Sequence, residues 1–164
     1  MSPGRPTVSR LKGDSYRLID LLEFFHLMSA PTRYERVGAV LFNAEREPLG
    51  AVWLDQGCQD AVGFNLRTLA RIALYHDAHG IYLVHSHPHS HDPQPSTEDV
   101  ETTRAAHASL APLGIPVLDH HIFGRSDGAT TPIFKFRARG VAWADSGGPL
   151  EPSAGPQPAD RTDQ

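Results

Sequence analysis

The segment that most restricts the fold is "GIYLVHSHP", Gly80 to Pro88. Its apolar run is too short for an ordinary helix and is bounded by a glycine and a proline, so it reads as a buried strand. A strand buried on both faces needs neighbouring strands and covering helices, which the rest of the chain must supply. Residues two apart on a strand share a face, so His85 and His87 project side by side from its carboxyl end. His89 and His91 continue the alternation beyond Pro88, in a loop.

The flanking sequence supplies the rest of a layered domain. Asp14 caps a helix from about Ser15 to Met28, with Leu18, Leu21, Leu22, Phe25 and Met28 at helical spacing. "RVGAVLFN" and "LGAVWLD", joined by "AEREP", read as a β-hairpin. "DQGCQDAVGF" has no period and reads as a loop. Asn65 caps a second helix to about His79, ended by Gly80, and Ser96 begins a third to about Leu113, followed by Gly114. "IPVLDHHIFG" and "TPIFKFRA" are two more strands, separated by "RSDGAT". The order predicts an α/β (α+β) domain, a mixed β-sheet flanked by helices.

Composition bounds the remainder. Residues 1–14 and 145–164 are rich in Pro, Gly, Ser and charge and read as flexible tails, leaving a folded unit over 15–144. A formal net charge of −4 disfavours general phosphate neutralisation and so a nucleic-acid partner. The single cysteine, Cys58, cannot pair within the chain, which makes a cytoplasmic location the default. No secretory leader or membrane-spanning run is visible.

Two imidazoles on one face at a strand end offer the start of a zinc site, which in enzymes takes about three protein ligands and keeps one position for water. Asp99, in the first turn of the following helix, is the natural third ligand, with Pro88, Pro93 and Pro95 stiffening the connection. A plainer reading stands beside this one. Histidine clusters also occur as surface metal scavengers, and "STED" fits a helix start with Ser96 as N-cap and Asp99 reaching back to it.

"HSHP…PSTED" resembles the JAMM motif of the JAB/MPN metalloprotease superfamily. "IYLVHSHP…DPQPSTEDVETT" with "LGIPVLDHHIFG" is similar to the JAB domain of the bacterial RadC family, over about Tyr34 to Gly124. The resemblance implies a three-layer, cytidine-deaminase-like domain binding Zn2+ through His85, His87 and Asp99. It further implies Glu35, in "YERVGAVLFN", as general base toward a metal-activated water, and Ser96 as a hydrogen-bond donor to the developing oxyanion. Read from its residues alone, Glu35 is a solvated strand-end charge and Ser96 an N-cap. The helix-hairpin-helix module that precedes this domain in RadC proteins is expected to be missing.

Eleven residues, Pro88 to Glu98, separate His87 from Asp99, one more than the family spacing. Strict counting selects Glu98. The intact Ser96–Asp99 interval selects Asp99 and puts the extra residue in the loop. His89 and His91 then fall outside the ligand set, facing solvent first, with tuning of the water or binding of a second, weaker ion as the alternatives. His120 and His121 are adjacent on a strand and must point to opposite faces. One of them is a candidate support for a zinc ligand, or else a satisfied core histidine. His26, His76, His79 and His107 read as ordinary.

The leading expectation is a zinc metallopeptidase or isopeptidase, acting on a protein or peptide substrate such as a ubiquitin-like conjugate. The alternatives are a RadC-type DNA-repair-associated protein or metal-dependent nuclease, and a non-catalytic MPN scaffold. All five motif residues are present, which ranks the scaffold last.

Overall fold

The computed structural model describes residues 21–23, 25–26, 34–54, 64–127 and 131–143. The two expected tails, Cys58 and nearly all of the "DQGCQDAVGF" loop lie outside these residues, as does most of the first expected helix. Residues 21–23 and 25–26 are helical. The hairpin is β1 (Val37–Phe42) and β2 (Pro48–Trp53), then come α1 (Leu66–Tyr75), β3 (Gly80–Ser86), α2 (Thr97–Leu110), β4 (Val117–Phe123) and β5 (Ile133–Lys135). The sheet order is β2-β1-β3-β4-β5. Among the described strands only the β3–β4 pair is parallel, and the crossover between them carries α2. This is the mixed α+β sheet that the sequence predicts.

Strand alternation divides the core into two layers. Val37, Ala39, Leu41, Leu83 and Ile122 pack with Leu69 and Ile72 of α1 and with Ala106 and Leu110 of α2. Val40, Phe42, Ala51, Val84 and Phe123 pack on the other side with Leu21, Leu22 and Phe25. Gly38 makes room for this second layer, since a Cβ there would run into the Phe25 ring and the Val52 carbonyl oxygen.

The hairpin turn is closed by Asn43, whose side chain accepts from Glu47 N at 2.8 Å. Asn65 caps α1 as expected, accepting from Arg67 N and Thr68 N. The end of α1 corrects the sequence reading. The helix stops at Tyr75, not near His79, and Asp77 takes the left-handed conformation at φ 52°. Gly80 is the first residue of β3 and no helix terminator. A Cβ at that position would lie 2.7 Å from Leu118 Cδ1, so the glycine serves strand packing. Gly114, at φ 77°, does end the helical stretch, after a 3-10 turn over Ala111–Leu113.

Candidate metal centre

The register sets the site. Val37 pairs with His85 across antiparallel β1 and β3, so the start of β1 meets the end of β3. Glu35, just before β1, thereby comes beside the two histidines. Its Oε2 lies 3.4 Å from His85 Nε2, and its Oε1 lies 3.9 Å from His87 Nε2. Odd-numbered β3 residues face α2, so His85 looks directly at that helix. Asp99 meets it there, with Oδ1 2.8 Å from His85 Nδ1 and Oδ2 3.4 Å from His87 Nε2. Four of the five predicted residues therefore converge.

The fifth, Ser96, supports one of them. Its Oγ accepts from Asp99 N at 3.1 Å, and its own backbone N–H donates to Asp99 Oδ2 at 2.7 Å. This reciprocal capping box anchors the Asp99 carboxylate in the first turn of α2. Glu98, the residue that strict counting selects, is exposed, whereas Asp99 is buried. His89 and His91 are exposed, as expected for the loop.

The two carboxylates differ in setting. Burial disfavours ionised Asp99, but hydrogen bonds from His85 and His87, with the Ser96 amide, outweigh it and hold the carboxyl far below the usual range. Glu35 is half exposed, and the adjacent His85 lowers its pKa against a smaller opposing effect of burial. His85 is raised: burial pushes it down, and Asp99 and Glu35 together more than reverse that.

His85 Nε2 is buried without a hydrogen-bond partner among the described residues. With one ligand atom each, Glu35, His85 and His87 all fall within 4.8 Å of one another. A buried imidazole nitrogen that makes no hydrogen bond and faces a carboxylate at 3.4 Å, within a cluster of imidazole and carboxylate donors, suits a divalent cation such as zinc.

His120 and His121 do point to opposite faces. His120 lies on the α2 side, its ring 6.1 Å from that of His85, and burial pushes its pKa down to about 3. His121 lies on the other side, with Nε2 3.0 Å from Asp119 Oδ2. Its i,i+2 spacing from Asp119 was the readable sign of that pair, which the sequence reading missed. Ser86 and Thr103, both hydrogen-bonded to the site's backbone, carried no sequence signal of their role. Among the helical histidines, His107 accepts from Val117 N and serves structure.

The sequence comparisons identify the family. The family model described as "RadC-like JAB domain" matches residues 17–139. The chain is 33% identical over 121 residues to UPF0758 protein STH371 of Symbiobacterium thermophilum, covering 74% of this chain and 49% of that protein. It is 30% identical over 128 residues to UPF0758 protein TTE0897 of Caldanaerobacter subterraneus, covering 76% and 54%. The chain thus spans about half the length of the curated relatives it matches. The matched region contains every strand of the sheet and all of the clustered side chains, and on this ground the chain belongs to the RadC-like JAB domain family.

Proposed function

We propose that this domain is a zinc-dependent hydrolase of the JAMM type that cleaves an amide bond, with isopeptide-linked conjugates of a ubiquitin-like modifier as its substrate class. The observation that carries the reading is the buried His85 Nε2, which makes no hydrogen bond among the described residues and faces the Glu35 carboxylate in a cluster with His87. Asp99 reaches His85 Nδ1 and His87 Nε2. His85, His87 and Asp99 would hold the cation, which when bound supplies an electrophile and acidifies water.

The chain's own groups divide the remaining work by their environments. Asp99 is buried and its pKa strongly depressed, so it is a poor proton acceptor and a suitable ligand. Glu35 is half exposed and can exchange protons with substrate and solvent, which suits a general base that later returns a proton to the leaving amine. Ser96 uses its oxygen to accept from Asp99 N and keeps its hydroxyl proton for donation to a developing oxyanion.

The test is Glu35→Gln, assayed for zinc content and for hydrolysis of an isopeptide-linked substrate. Zinc is expected to stay while hydrolysis falls by about 10²–10⁴-fold. Full activity in this variant would remove Glu35 as base. One observation favours a second assignment, in which Asp99 orients His85 through Nδ1 and Glu35 completes the ligand set. Loss of zinc in Glu35→Gln with retention in Asp99→Asn would select it.

A further inference from the structure

Thr103 stands one helical turn after Asp99 on α2 and is fully buried. Its Oγ1 lies 2.6 Å from the Asp99 carbonyl oxygen and 2.7 Å from His120 Nδ1. A hydroxyl has one proton, and two oxygens this close require that proton between them. Thr103 therefore donates to Asp99, and Nδ1 of His120 must carry the hydrogen that Thr103 accepts. This fixes His120 as the Nδ1–H tautomer with a bare Nε2, which has no partner among the described residues.

Two rings lie nearly parallel to it. Phe136 stacks against it with centroids 4.6 Å apart and planes at 29°. The His85 ring, on the neighbouring strand β3, lies at 6.1 Å and 23°. Asp99 and Thr103, four residues apart on α2, thus each meet the Nδ1 of one imidazole, His85 on β3 and His120 on β4. His120 also lines the small cavity bounded by His85, Asp99, Thr102, Leu83 and Phe64. It lies outside the cluster of Glu35, His85 and His87.

We propose that Thr103 and His120 are positioning residues for the metal centre: Thr103 fixes the tautomer and plane of His120, and the pair together holds the His85 ring and the first turn of α2 carrying Asp99. The proposal rests on reading the cluster as a zinc site. Groups that orient metal ligands typically change affinity by about 10–100-fold when removed.

The experiment measures zinc affinity of the full chain by competition with a chromophoric chelator, alongside ring nitrogen NMR of the metal-free protein. Thr103→Val, which keeps shape and loses the hydroxyl, is expected to weaken zinc by about 10–100-fold, and Thr103→Ser to restore it. His120→Phe, which keeps the stacked ring and loses the nitrogen donor, is expected to weaken zinc similarly and carries the test if the valine variant does not fold. The wild-type spectrum should show His120 protonated at Nδ1. A His120 protonated at Nε2, or wild-type zinc affinity in folded Thr103→Val or His120→Phe, overturns the proposal alone. A wild-type protein that takes up no zinc overturns the metal-centre reading and this proposal with it.

Discussion

The hydroxyl of Ser86 accepts a hydrogen bond from the backbone N–H of Arg36 at 2.9 Å, and the Ser86 N–H donates to the Arg36 carbonyl at the same distance. The residue between the two site histidines thus grips the residue that follows Glu35. On its other side the Arg36 guanidinium lies 3.7 Å over the Trp53 ring. The carboxylate of Glu35 is placed by its neighbour's backbone as much as by its own contacts. Ser86→Ala should retain zinc while hydrolysis falls by about 10-fold or more, because small misplacements of a reacting group are costly. Ser86→Thr should recover most of the loss. Equal rates in the alanine variant and the wild type would show that the clamp does not govern Glu35.

The four histidines at 85, 87, 89 and 91 should separate into two classes. His85→Ala or His87→Ala is expected to abolish stable zinc binding, since a site with about three protein ligands cannot spare one. His89→Ala and His91→Ala, both at exposed positions, should change affinity by less than about threefold. Isothermal titration of the four variants gives the answer. Comparable losses at all four would mean a distributed histidine tract and no discrete centre.

Asp119 should matter to stability and not to metal. Its buried carboxylate accepts from His120 N at 2.8 Å and Arg137 N at 3.0 Å, and meets His121 Nε2 at 3.0 Å. Asp119→Ala strands these donors and should cost about 3 kcal/mol or more in urea unfolding at neutral pH. Zinc affinity of the folded variant should stay near wild type. A loss below about 1 kcal/mol would show that water or a shift of the chain replaces the carboxylate.

The metal-free protein should carry an acid-sensitive contribution from His120. Burial holds its folded pKa at about 3 against about 6.5 for an unfolded chain, so the unfolded state takes up a proton that the folded state refuses. The neutral ring's contribution is complete above about pH 6.5 and declines as pH falls toward 3, by about 1.4 kcal/mol per pH unit. His85 runs the opposite way, its raised pKa favouring the folded state at acid pH and losing that effect as pH rises through its folded value. The clean measurement is therefore the stability difference between wild type and His120→Phe. It should shift by about 2–3 kcal/mol in favour of the phenylalanine variant between pH 7.5 and 4.5. A difference independent of pH would place a hydrogen-bond acceptor or solvent at His120 Nε2, where it could stabilise the protonated ring.

The sheet was legible because its signals are local. The Asn43 turn, the Asn65 cap and the Ser96 box each depend on residues two to four apart. His85 and His87 were legible by strand alternation, and Asp99 by its place in the next helix. Glu35 emerged only through family resemblance, since its partners lie 50 residues or more along the chain. The same holds for the Thr103–His120 bond, where helix and strand periodicities give no hint that the two faces meet. Gly80 misled the reading of α1 because a glycine required by Leu118 looks, in sequence, the same as one that ends a helix.

β1 lies between β2 and β3, and its first residues close against the last residues of β3. In folding, the chain must bring residues 36 and 86 together before Glu35 has any histidine to face, and closing so long a loop is repaid only by the completed sheet. The site should accordingly form late, in the same cooperative step as the central strands. A peptide spanning only the histidine-rich loop keeps the alternation of imidazoles but none of the convergence. A chain cut between Glu35 and Asp99 loses the centre as a unit, making metal retention a sensitive gauge of whether this domain is folded.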